Sequence, residues 1–332
     1  MRISTLTNRL SLFSISLIVL SLVATRGYAQ LGAAQPGSTL RQVIPTFTVE
    51  PFTVYTGVAH VANGASLRDS GSATIRLRGM PSDAKVIAAW LYWDFTSLTS
   101  PSYLQRDVIF SKVTHYVNPF VKLYGTQIGT GGDPCWYGGS NFAFRADISK
   151  LISGNGDYMV TLLPGASSST NGSDPWSASA PTAGPLAEGA SIVAIYTSSI
   201  EPAGTVLLYD SGLAGDEFSG TLSYDLDAVP TPPGAYTSIF TELGADGQIG
   251  NGLTAEPLLA DDTTTLGSTL IAGPGSAIND SDWNGTDGVP LNQLWDTHSH
   301  DVTGLLVAGL NSVTINSGVD CLVPIANVLT VR

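Results

Sequence analysis

A strand, a tight polar corner, an aliphatic step and a further strand occur twice in this chain, and that repetition limits the folds open to it. The later copy, Trp295 to Val331, runs from a polar strand through a one-turn corner opened by Asp301-Val302-Thr303. The Leu305-Leu306 pair, an exit at Gly309 and two apolar strands follow. The earlier copy, Phe144 to Leu163, has Asp147-Ile148-Ser149, then Leu151-Ile152, then Val160-Thr161-Leu162 in the same order. An Asp or Ser/Thr at the mouth of a short turn offers a side-chain oxygen to a backbone N–H that has no other partner. The aliphatic pair behind it is expected to point inward, each side chain contributing roughly 1.5–3 kcal/mol of burial. Tyr158, Val160 and Leu162 in one copy and Val313 and Ile315 in the other then alternate with the period of a half-buried strand. Used once on each half of the chain, this unit predicts an all-β fold of two jelly-roll-like β-sandwich lobes. With 36 Gly, 19 Pro and only four Lys, few or no long helices are expected. The lobe boundary is placed near Ile200 to Gly204, giving lobes 30–200 and 201–332, each long enough for its own core.

Residues 1–29 have the layout of a secretory signal peptide. Arg2 and Arg9 precede an apolar run from Leu10 to Ala24, and Gly27-Tyr28-Ala29 supplies small residues for cleavage. The run is short for a spanning helix and broken by four serines, so an uncleaved anchor is the weaker alternative. No second run of 18 or more apolar residues occurs, and no membrane span is expected in the mature chain. Cleavage removes three of the 14 basic residues and none of the 27 acidic ones, moving the net charge from −13 to about −16. Such a surface repels nucleic acid and anionic lipid. A secreted, periplasmic or extracellular address also makes the two cysteines, Cys135 and Cys321, a candidate disulfide; two separately buried thiols are the alternative.

Along the chain, Gln42 to Val61 is β-rich but cut by Pro45 and Pro51, which suits edge strands. Val86 to Phe95 is apolar on both faces and predicts a central strand covered on both sides. Gly129 to Ser140 is expected to form a glycine-dense loop, and Pro164 to Gly189 a long low-complexity one. Ala190 to Ile200, Thr205 to Tyr209 and Phe218 to Leu226 read as further strands.

The segments AAWLYWDF (88–95), FRADISKLISGNGDYMVTLL (144–163), EGASIVAIYTSS (188–199) and VLLYDSGLAGD (206–216), together with the Trp295 to Val331 stretch, resemble a family of exported bacterial and archaeal domains of unknown function. Its members often precede Ig-like repeats in surface proteins. The resemblance implies a secreted β-sandwich protein in adhesion or cell-surface architecture, and it supplies no catalytic residues. The corner unit alone is also similar to one in galactose-binding-like jelly rolls.

Three groups of residues are candidates for chemistry. Asp280, Asp282, Asn284 and Asp287 place oxygen ligands at alternate positions before a glycine, the way a tight loop wraps Ca²⁺. Leu291 stands where a helix-loop-helix site would have Glu, so only an irregular β-loop site fits, with an ordinary Asx-rich turn as the alternative. Asp296, His298 and His300 share one face of a strand and could hold a transition metal given a fourth ligand such as His60 or His115; a solvent-facing polar strand shows the same alternation. Trp136, Tyr137, Trp176 and Trp283 fall in Gly/Ser/Asn-rich segments, where exposed rings stack on sugars or, more commonly, plug the ends of a sandwich. No Gly-x-Ser-x-Gly, His-Glu-x-x-His or phosphate-binding glycine loop occurs. The sequence therefore points to a secreted, non-enzymatic protein with a structural or adhesive role toward an extracellular glycan or surface protein. A carbohydrate-binding module is the alternative, and a metal-dependent glycan-active enzyme stands third.

Overall fold

The structure, a computed structural model, describes residues 46–114, 120–133, 139–169, 185–232, 237–248, 262–276, 283, 285 and 293–332. In chain order the elements are β1 (Phe47–Val49), β2 (Thr53–Ser66), β3 (Ser72–Leu77), β4 (Lys85–Ser97), α1 (Tyr103–Arg106), β5 (Asp107–Lys112), β6 (Val121–Tyr124), β7 (Thr126–Asp133), β8 (Gly139–Asp147) and β9 (Gly156–Leu162). They continue with β10 (Leu186–Thr197), β11 (Gly204–Tyr209), β12 (Phe218–Val229), β13 (Ser238–Gln248), β14 (Thr263–Leu266), β15 (Thr269–Ala272), β16 (Gln293–Asp301) and β17 (Gly309–Val331). Among the described residues the one helix has four residues, in keeping with the glycine- and proline-rich composition.

The strands form four sheets stacked face to face. Sheet I is β3-β9-β5-β6. Sheet II takes the second half of β2 with β10, β4, β8 and β7. Sheet III takes the first half of β2 with β11, the second half of β17, β13 and β16. Sheet IV is β1, β12, the first half of β17, β14 and β15. Alternation along each strand fills three cores between them. Ile75, Phe110 and Val160 of sheet I meet Leu91, Trp93 and Phe144 of sheet II in the first. Tyr92 and Val193 of sheet II meet Leu243, Trp295 and Val328 of sheet III in the second. Leu207, Phe240 and Leu329 of sheet III meet Tyr224, Val313 and Ile315 of sheet IV in the third. The chain is thus an all-β stack of sandwiches whose inner sheets are covered on both faces.

β4 and β10 carry the apolar two-faced composition such a position needs, and β4 lies where the sequence places a covered central strand. β2 and β17 each serve two sheets. Gly57, at φ 76°, marks where β2 leaves β11 for β10, and Gly318, at φ 59°, lies between the two halves of β17. Left-handed backbone at these turning points is open to glycine at little cost. The expected lobe boundary falls between β10 and β11, while β1 and the start of β2 pair with strands from beyond it.

Several local expectations are corrected. β1 is an edge strand, but β2 is interior, lying between β11 and β10; Pro51 precedes β2 and so removes no ladder hydrogen bond. Gly129 to Asp133 belongs to β7 rather than a loop. The glycines there serve close approach, since a Cβ on Gly129 would lie 1.8 Å from the Ala214 carbonyl oxygen and one on Gly131 2.5 Å from Asp216.

Candidate functional site

Asp296, His298 and His300, singled out in the sequence as a possible metal set, lie on β16, and β13 completes their surroundings. These strands pair antiparallel with His298 opposite Glu242, Asp296 opposite Gly244 and His300 opposite Phe240. Asp296, His298 and His300 share a face, as their spacing predicts, while Trp295, Thr297 and Ser299 point the other way toward sheet II. Glu242, Asp296 and His300 are buried and His298 is partly so. Asp296 Oδ2 accepts the backbone N–H of Gly285 at 2.9 Å, and Oδ1 lies 3.2 Å from His298 Nε2. Such a carboxylate fixes the orientation of the ring.

The backbone around this pair is unusual. Asp246 and Leu294, at φ 69° and 74°, flank the register shift between β13 and β16. Left-handed backbone at bulky residues costs on the order of 1–3 kcal/mol and persists only where the surroundings impose it. Here Gly247 packs so closely that an added Cβ would sit 2.4 Å from Asp296 Oδ2 and 2.5 Å from the Trp283 carbonyl oxygen. Glu242 and Asp246 were not among the sequence candidates, because a carboxylate in a strand gives no sign of burial before its neighbours are known.

As a metal centre the arrangement is incomplete: among the described residues no group of three His, Cys, Asp or Glu side chains is placed to hold an ion. His60, offered as a fourth ligand, is on the wrong side of the sheet. Its Nδ1 lies 2.5 Å from Thr330 Oγ1 and its Nε2 2.8 Å from Thr241 Oγ1, within the space facing sheet II. His115 lies outside the described residues, as do Asp280, Asp282, Asn284 and Asp287 of the calcium loop.

The aromatic candidates divide likewise. Trp136, Tyr137 and Trp176 lie outside the described residues. Trp283 is 1% exposed, and its ring covers Gly244, where an added Cβ would lie 1.5 Å from Cζ3. It is a core residue rather than a sugar platform, because the missing side chain of Gly244 opens a slot that the indole fills. Among the described residues the rings most exposed to solvent are Tyr103, Phe120 and Tyr124, with Phe52 less so. The alternation of Phe120, Lys122 and Tyr124 with Val121 and Leu123 was the signal for Phe120 and Tyr124.

Cys321 is buried in β17 opposite Ser219 of β12, Cys135 lies outside the described residues, and no free cysteine is found among them. A cleft of about 490 Å³ beside β3 is lined by Ser70, Ser72, Thr161, Pro164 and Ser167, with Asp69 as its one titratable group among the described residues. Among the described residues no helix is long and apolar enough to cross a membrane.

No family model matches the chain, and no curated protein does. Among solved structures it is similar to a β-porphyranase of glycoside hydrolase family 86 from the human gut bacterium Bacteroides plebeius, at 11% identity and a TM-score of 0.27, covering 84% of this chain and 36% of that one. It is also similar to a chain of the Sputnik virophage, at 6% identity and a TM-score of 0.23, covering 91% of this chain and 90% of that one. The chain spans about a third of the porphyranase's length. Neither superposition is close enough to carry an activity across.

Proposed function

We propose that this is an exported, non-enzymatic β-sandwich protein with a structural or adhesive binding role outside the cell. The observation that carries this reading is the filling of all three spaces between the sheets by side chains. Recognition then falls to outer faces and loops. The signal-peptide layout of residues 1–29 supports export, and the partner is an extracellular glycan or a surface protein.

A Cys135–Cys321 disulfide belongs to the same reading. β7 runs past Ala214 and Asp216 and ends at Asp133, two residues before Cys135, while Cys321 opposes Ser219, three residues beyond Asp216. The nearness of β7 to Ala214 and Asp216 supports the pairing. Such a bond would fasten the tip of the β7–β8 hairpin to β17 and constrain a long loop of unfolded chain.

The full chain, expressed in a bacterial host, tests the proposal. The exported protein should begin at Gln30, carry no free thiol before reduction, and be retained on intact cells or isolated cell wall. Retention of the unprocessed chain in the cytoplasm would overturn the reading. Binding to purified wall polysaccharide in place of protein-bearing wall would favour the carbohydrate-binding alternative.

A further inference from the structure

Sheet I ends at β6 in an edge that carries exposed rings. Tyr103, Phe120 and Tyr124 are 57%, 63% and 67% exposed. Lys122 stands between two of these rings, its Nζ 5.8 Å from the Tyr103 centroid and 5.2 Å from that of Tyr124. The same ammonium lies 3.0 Å from Asp107 Oδ2, and Arg106 Nε donates to Asp107 Oδ1 at 2.9 Å. The two cations hold the Asp107 carboxyl below its ordinary value against the opposing effect of burial. Both keep further N–H donors toward solvent, since their side chains are 49% and 38% exposed.

This edge is built on a fixed support. Ser102 and Gln105 form a capping box around the single turn of α1, and Gln105 Nε2 donates to the Ala166 carbonyl at 2.7 Å. The buried Trp93 donates its indole N–H to the Gln105 carbonyl at 3.0 Å. Gly125 donates to the Arg106 carbonyl at 3.0 Å and packs so tightly on Trp93 that a Cβ would lie 2.5 Å from its ring. The two tyrosines are therefore positioned from one core residue, and little ordering remains to oppose binding.

Charge favours the edge as well. Arg106 and Lys122 stand at it, with Asp107 as the one carboxylate of α1, β5 and β6, while Arg76 and Arg78 lie on or just beyond β3 at the opposite edge of sheet I. The edge is thus net positive on a chain of net charge −13.

We propose that this edge binds polysaccharide whose pyranose units carry carboxylate or sulfate groups. The phenol rings offer apolar faces to the C–H side of a sugar, and the Lys122 and Arg106 donors meet its anionic substituents. Nucleic acid fits less well. A site that contacts about 6–10 phosphates needs more cations than Arg106 and Lys122, which already share one carboxylate. The proposal rests on the exported, surface-binding reading above and names the partner class for it.

Affinity electrophoresis of the mature chain in native gels tests it, with polygalacturonate and dextran sulfate as anionic probes and dextran and hydroxyethylcellulose as neutral ones. Retardation by an anionic probe but not by the neutral ones is expected. Tyr103→Ala/Tyr124→Ala should weaken it at least tenfold, Lys122→Gln should weaken it and lower its salt dependence, and Tyr124→Phe should retain it. Circular dichroism melting of each variant separates loss of binding from loss of fold. The proposal is overturned if the wild type is retarded by neither anionic probe, if neutral polymers retard it equally, if single-stranded DNA competes as well as polygalacturonate, or if a folded double-tyrosine variant binds unchanged. Export and processing are read separately by the N-terminus of the secreted chain, so failure here leaves the export measurement intact.

Discussion

Thr303 Oγ1 accepts the backbone N–H of Ser238 at 3.0 Å, and the arrangement is repeated in the other half of the chain, where Ser149 Oγ accepts that of Ala89 at 3.0 Å. The reciprocal bonds match too: Val302 N–H donates to the Ser238 carbonyl and Ile148 N–H to that of Ala89, both at 2.9 Å. In each corner the opening aspartate accepts the N–H two residues on, Asp301 from Thr303 at 2.9 Å and Asp147 from Ser149 at 2.8 Å. The two corners carry the chain from sheet II to sheet I and from sheet III to sheet IV, so one local device performs the same crossing twice.

Removing either hydroxyl leaves a backbone donor short of its partner. Ser149→Ala and Thr303→Val should each destabilise the protein by about 1 kcal/mol. Urea denaturation of the mature protein measures this, and an unchanged midpoint in both variants would show that the corners close without their caps.

Between sheets II and III, Arg145 is ion-paired with the buried Asp210, which also accepts the Tyr92 hydroxyl at 3.1 Å. The guanidinium lies 3.4 Å from the Phe52 ring centroid and 5.2 Å from that of Trp90. Burial and the Asp210 charge push the Tyr92 phenol well above its ordinary value, so it remains a donor. Arg145→Ala strands a carboxylate in this layer and should cost about 3–5 kcal/mol. The Arg145→Ala/Asp210→Ala double variant should be more stable than the single one, and guanidinium denaturation of both decides it.

His60 is held down to about 3 by burial and by the charge of Arg332. An unfolded histidine takes a proton near pH 6.5, so the stability due to neutral His60 is fully present above that pH and is lost as the pH falls toward 3. Between pH 7 and pH 5 the loss from this group amounts to about 2 kcal/mol. His60→Gln, which keeps hydrogen-bonding capacity but does not titrate, should flatten the pH dependence by that amount. Denaturation midpoints at the two pH values give the comparison, and equal slopes would remove His60 from the account.

Gly189 of β10 faces the Trp295 ring, with an added Cβ 2.2 Å from Cγ, while Trp295 donates its indole N–H to Ser191 Oγ at 2.8 Å. Gly189→Ala should destabilise by about 1–3 kcal/mol through overpacking. Gly71→Ala, where nothing lies within 4 Å of the added carbon, serves as the control. Calorimetric melting should lower Tm for the first and leave the second nearly unchanged.

How far the sequence reaches can be followed at particular residues. The Asp-x-Ser/Thr openings at 147 and 301, the covered strand around Trp90 and Trp93, and the strand face shared by Asp296, His298 and His300 were all legible, because each depends on contacts within a few residues or on a two-residue period. Of each aliphatic pair expected to point inward, one member is buried and the other packs at the rim of the core. One helical turn aligns residues four apart, so Ile148 with Ile152 and Val302 with Leu306 are buried, while Leu151 and Leu305 are only partly covered.

The amino-acid sequence alone determined that the chain is all-β and that the same capped corner serves both halves, since spacing and capping chemistry act over short stretches. Tertiary structure alone decided that four sheets stack with a shared core between the inner two, that Trp283 fills a slot over Gly244, and that His60 faces away from Asp296 and His298. Those outcomes depend on which distant strands pair and which faces then meet, a choice that no local pattern encodes.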